Sequence, residues 1–141
     1  MTEQTSNRST VVSFDADAAL AAVLDRVDGR LFTFVEYDAD GFNPLYVDEA
    51  TLALYGGEER MLAHFEEIHS YVHVDFMEVE MFTDTLFPVA ERVEYITTAM
   101  DYMTLVRIYH EREGVFMALE PEESVQPLTA AVGEAIRESS E

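Results

Sequence analysis

The residues with the greatest chemical reach lie between Glu66 and His73, where Glu66, His69 and His73 form an E-x-x-H-x-x-x-H pattern. On a continuous helix, at about 100° per residue, the three sit together at the edge of the apolar stripe. Two imidazoles four apart can share a Zn²⁺ or similar ion, and a Glu three before a His is the spacing of helical dimetal carboxylate sites. Reach argues against a single site: at about 1.5 Å rise per residue, Glu66 and His73 stand about 10 Å apart along the axis. One ion would need ligands from a second helix. His64 points elsewhere on the wheel, and His110 falls at a strand end. We therefore read these histidines as structural, each with one ring edge in water, and expect no bound metal.

Other chemistry is limited by composition. Cys is absent, so there is no disulfide framework and no thiolate ligand or nucleophile. No nucleophile elbow, Walker A sequence or dinucleotide-binding glycine pattern is present, and Gly56-Gly57 more simply ends a helix. Pairs such as Glu66-Glu67 and Glu122-Glu123 are the background of an acidic chain rather than an acid/base dyad. We expect no catalytic residue and no cofactor. The remaining concentration is apolar: Phe76, Met77, Met81, Phe82, Phe87 and Tyr95, with Met100, Tyr102 and Met103 beyond them. Some must fill a core, and the excess suits an adaptable interaction or dimerisation surface, for which we take Phe76, Met77, Met81, Phe82, Phe87 and Tyr95.

The elements that must position these residues follow from periodicity. Met1 to Thr10 is polar and aperiodic and reads as a disordered tail, with no apolar core of a secretory signal. A single domain then spans residues 11–139. Ser13 or Asp15 caps a helix with Leu20, Val23, Leu24 and Val27 on one face, stopped by Asp28-Gly29. Leu31–Tyr37 and Phe42–Val47 flank Asp38-Ala39-Asp40-Gly41 and form a hairpin, with Pro44 placing the second strand at an edge or at its entry. Asp48 caps a short helix to Tyr55, and a longer helix runs from Glu58 to about Asp75. Met77 to Glu91 reads as mixed helix and loop. Val93–Ala99, Tyr102–His110 and Val115–Leu119 form an antiparallel meander, and a last amphipathic helix carries Leu128, Val132, Ala135 and Ile136. The fold class is α+β, in the order α-β-β-α-β-β-β-α.

All 8 basic residues are Arg, against 29 Asp and Glu, giving a net charge of −21 on 141 residues. A carboxylate surface without Lys, over a chain that is 48% hydrophobic, suits a folded protein hydrated in multimolar salt. Scattered Arg among acids argues against nucleic-acid binding, and the same repulsion disfavours anionic membranes. No run of about 18 apolar residues exists to span a bilayer. A cytoplasmic location is the expectation.

The element order resembles roadblock/longin and profilin-like domains, which carry a five-stranded antiparallel sheet with helices packed on it. Within it, PLYVDEATLALYGG at Pro44–Gly57 resembles the segment after the second strand of PAS sensor domains. The hairpin, the stretch Glu91–Met117 and the final helix are similar to short, acidic haloarchaeal proteins. The roadblock resemblance implies a homodimer formed through Glu58–Asp75 and Val93–Ala99. Together these lead to a self-associating, non-enzymatic interaction or signalling module of a halophilic cytoplasm that binds a protein partner. The alternatives are a PAS-like sensory domain with a small-ligand pocket between the sheet and the Glu49–Asp75 helices and, third, a metal-dependent enzyme.

Overall fold

A computed structural model describes residues 5–139. After a two-residue strand β1 (Thr5–Ser6) come helix α1 (Ala16–Arg26), strands β2 (Leu31–Asp38) and β3 (Phe42–Val47), helices α2 (Glu49–Tyr55), α3 (Glu58–His69) and α4 (Val72–Met81), and a π-helical turn at Phe82–Leu86. Strands β4 (Tyr95–Ala99), β5 (Thr104–His110) and β6 (Glu113–Leu119) and helix α5 (Gln126–Ser139) complete it. The strands form one antiparallel sheet in the order β1-β3-β2-β6-β5-β4. The five expected strands are all present, with β1 added beside β3.

Caps set most of the boundaries. Asp15 accepts the Ala18 N–H at 2.9 Å and opens α1; Asp48 accepts the Thr51 N–H at 2.9 Å and opens α2. Gly56, at φ 82°, takes the left-handed conformation that ends α2. In the β2–β3 turn, the Asp38 carboxylate accepts the N–H groups of Asp40 and Gly41 at 2.8 and 2.9 Å.

Two expectations need correction. The helix expected from Glu58 to Asp75 breaks at Ser70-Tyr71. There the Ser70 hydroxyl donates to the Glu67 carbonyl at 2.5 Å and the Tyr71 N–H turns back to the Ile68 carbonyl, so the axis restarts as α4. The second concerns the tail. Met1–Gln4 lies outside the described residues, but Thr5 and Ser6 pair with Val47 and Tyr46. Beyond them the chain wraps onto Glu36, a fully buried carboxylate. Glu36 accepts the N–H groups of Thr10, Val11 and Val12 at 2.6, 3.1 and 3.1 Å, the Ser9 hydroxyl at 2.8 Å and the Asn43 amide at 2.8 Å. Five donors replace the water that a buried anion would otherwise lose.

The sheet has two unequal faces. On one, Phe34, Leu45, Val106, Met117 and Leu119 are fully buried beneath α1 and α5 in the main core. On the other, Met61 and Phe65 of α3 pack with Val35 and Val47, while Phe76 and Val79 of α4 cluster with Tyr109, Val93 and Ile96. Helix α3 is thereby held over β2 and β3, and α4 over β5 and β4. The middle of that face is left less covered.

Candidate functional site

Strand register builds the site from two rows of residues on this second face. In one row Thr33 of β2 lies opposite Ala118 of β6, and Ala118 opposite Leu105 of β5. Two of these three side chains are small, so the centre of the sheet is low. Above it α2, α3 and α4 do not close. The result is a cleft of about 980 Å³, floored by Thr33, Ala118, Leu105 and Phe116 and walled by Ala53, Phe65 and Ile68 among others. It is open on one side, where Leu54, Tyr71, Val74 and Tyr102 are exposed.

In the other row Tyr37 and Tyr109 flank Gly114. The glycine is required by the close approach of β5: a Cβ on Gly114 would lie 2.4 Å from the Ile108 carbonyl oxygen, while the Tyr37 hydroxyl, at 3.4 Å, would be in ordinary contact. Both phenols donate to Asp75 of α4, Tyr37 at 2.9 Å and Tyr109 at 2.6 Å, and the Arg107 guanidinium completes the carboxylate's partners. Burial raises the pKa of both tyrosines well above the ordinary phenol range, and the Asp75 charge raises them further. This network closes one end of the cleft. At another end the Tyr55 hydroxyl and His64 Nδ1 are 2.7 Å apart, and Arg30 pairs with Asp48 while lying over the Phe32 ring. Burial raises the Tyr55 pKa as well.

The residues of the metal-like pattern are not brought together. Helix α3 ends at His69, so His73 belongs to α4 and the four-residue spacing no longer stacks the two rings. His69 Nε2 is 2.7 Å from the Asp38 carbonyl oxygen, and its ring lies 5.5 Å from that of Phe42. Glu66 and His73 are exposed. Among the described residues no three His, Asp or Glu side chains are grouped to hold an ion. Glu123, singled out beside Glu122, accepts the N–H groups of Asp28 and Gly29 at 2.9 and 2.7 Å, which fixes a loop.

The apolar set divides. Phe76 is 1% exposed and stacks on Tyr37 at 5.9 Å, so it belongs to the core and not to a surface. Phe82 is half-buried, whereas Met77, Met81, Phe87 and Tyr95 are exposed. Leu86 and Val89 join them, Val89 at 92% exposure, and were not singled out because neither carries a periodic signal. Asp75, Tyr37 and Tyr109 were also missed. The available hint was an Asp on the apolar face of a helix, next to Phe76.

The topology can be set against known structures. The crystal structure of the Roadblock/LC7 domain from Streptomyces avermitilis superposes with a TM-score of 0.53, at 11% identity, over 93% of this chain and 96% of that one. The fold is Roadblock/LC7-like. At that identity the likeness concerns architecture: an α+β domain whose antiparallel sheet is flanked by helices on both faces. No family model matches the sequence, and no curated protein is similar to it. Among the described residues, no helix of this Roadblock/LC7-like chain is long and apolar enough to cross a membrane.

Proposed function

We propose that the protein is a non-enzymatic interaction module that pairs with a second copy of itself, in the signalling class and in a salt-rich cytoplasm. The observation that carries this reading is the β4 side of the sheet. Strand β4 pairs with β5 alone among the described strands, and Tyr95–Ala99 contains no charge and no proline. An edge of five uncharged residues lacks the devices that normally block pairing with another strand. Beside it, Val79 of α4 clusters with Val93 and Ile96, so the outer side of α4, with Met77 and Met81, flanks the same edge. A two-fold pairing would cover both the open backbone groups and the methionines. Multimolar salt favours it by screening two strongly negative subunits.

Sedimentation equilibrium in 3 M KCl at tens of micromolar tests the reading. A dimer that Met81→Glu weakens is the expected result, and a strictly monomeric wild type rejects it.

The cleft favours a second reading, a sensory domain that takes a small ligand. It lies between the sheet and the helices of residues 49–75, and its volume falls within the range of small-molecule sites. The metal-dependent alternative finds no support in the separated positions of Glu66, His69 and His73.

A further inference from the structure

We infer that the cleft binds a flat, uncharged aromatic small molecule that makes one hydrogen bond to Thr33; this rests on the small-ligand reading and names its ligand class. Three observations converge. The first is an unsatisfied group. Thr33 is 4% exposed, lies on the cleft floor, and its hydroxyl is the one buried side-chain polar atom among the described residues with no hydrogen-bond partner. A buried hydroxyl left in that state destabilises the fold, because the water it gave up has not been replaced. A ligand group reaching it from the cleft, with the Thr33 side chain turned to meet it, offsets that cost.

The second is the lining. Phe32, Phe42, Phe65, Tyr55, Tyr102 and Phe116 all line the space, and beside Phe116 the floor is made of the smaller Thr33, Ala118 and Leu105. Aromatic walls over a low floor suit a planar ring system, stacked or edge-on. The third is charge. Both cations of the lining are already engaged, Arg30 by Asp48 and Arg107 by Asp75 and Glu78. Among the described residues of the lining no unpaired guanidinium remains to hold an anion, and the −21 net charge repels one at a distance. Of the three carboxylates in the lining, Asp75 is saturated by two phenols and a guanidinium, Glu78 faces Arg107 at 3.7 Å and Glu120 accepts the Arg30 N–H at 3.4 Å, so each already has a partner in place of an organic cation. An uncharged ligand is what remains.

Nile red, a flat and uncharged phenoxazinone with a carbonyl acceptor, is the probe, titrated by fluorescence against the full chain in 3 M KCl. Saturable binding of one dye per chain is expected. Ala53→Trp and Ala118→Met, both directed into the cleft, should each weaken it at least tenfold, and circular-dichroism melting identifies any variant that fails to fold. Thr33→Val should weaken it about two- to tenfold, the effect of one lost hydrogen bond, while leaving the melting temperature of the free protein unchanged or higher. Binding that does not saturate, or that both filling variants leave intact, overturns the proposal. Saturation by anionic anilinonaphthalene sulfonate or cationic acridine orange but not by Nile red overturns the uncharged class and leaves the small-ligand reading standing. No binding by any of the three rejects both. Conversion of a dimer to monomer by the filling variants, seen in parallel sedimentation runs, assigns the cleft to a second copy and overturns the proposal.

Discussion

Replacing Asp75 with Ala removes the acceptor shared by Tyr37, Tyr109 and Arg107, and its cost can be worked from the geometry. The Asp75 side chain is 12% exposed and that of Arg107 27%, so the pair is only partly screened by salt. Breaking a buried pair by deleting one partner costs about 3–5 kcal/mol, because the other charge is left without compensation. Two features reduce the cost here. Glu78 stands 3.7 Å from Arg107 and remains, and the neighbouring cleft admits water to the freed phenols. We expect about 3 kcal/mol from urea denaturation in 3 M KCl, with little change when the salt is halved. Domains of this size are stable by roughly 7–20 kcal/mol, so the variant still folds. A double-mutant cycle with Tyr109→Phe should give a coupling of about 1 kcal/mol or more, since the two groups meet at 2.6 Å. A loss below 1 kcal/mol together with zero coupling would refute the view that this carboxylate fastens α4 to the sheet.

Alkaline titration probes the same network from the other side: Tyr37 and Tyr109 have folded pKa values above the unfolded value near 10, so the stability they contribute is complete below pH 10 and falls as pH rises beyond it. The slope should approach about 1.4 kcal/mol per pH unit for each, and phenolate absorbance from two tyrosines should appear only with unfolding; early titration of all seven would contradict the burial. Glu36→Gln should cost about 2–3 kcal/mol and accelerate hydrogen exchange at Thr10, Val11 and Val12, whose N–H groups it holds; unchanged exchange there would show that the N-terminal segment is held otherwise. Because 29 acids oppose 8 Arg and screening shortens their repulsion to about 3 Å at 1 M salt, the melting temperature should rise between 0.1 M and 3 M KCl. A flat response would remove the salt-adapted interpretation of the surface.

Much of the architecture is written locally. The β-branched and aromatic run Leu31–Tyr37, the Asp38–Gly41 turn, the capping carboxylates Asp15 and Asp48, and the stripe Leu128, Val132, Ala135 each specify an element through neighbours a few residues away, and those elements stand in the structure where the pattern puts them. Their order alone was enough for a Roadblock/LC7-like sheet. What the sequence did not show depends on contacts between distant residues. Glu36 meets the N–H groups of residues 10–12 across 24 to 26 positions, and Tyr37 meets Asp75 across 38. Such pairs follow from strand register and helix placement, which no local periodicity encodes. At Ser70-Tyr71 the Tyr71 N–H turns back to the Ile68 carbonyl, and the break separates His69 from His73. The cleft exists because α3 is fastened over β2 and β3, α4 over β5 and β4, and the row between them presents Thr33 and Ala118. The apolar periodicity of each helix fixed which face turns inward; the distance between the two helices, and so the space above the sheet, was set by tertiary packing alone.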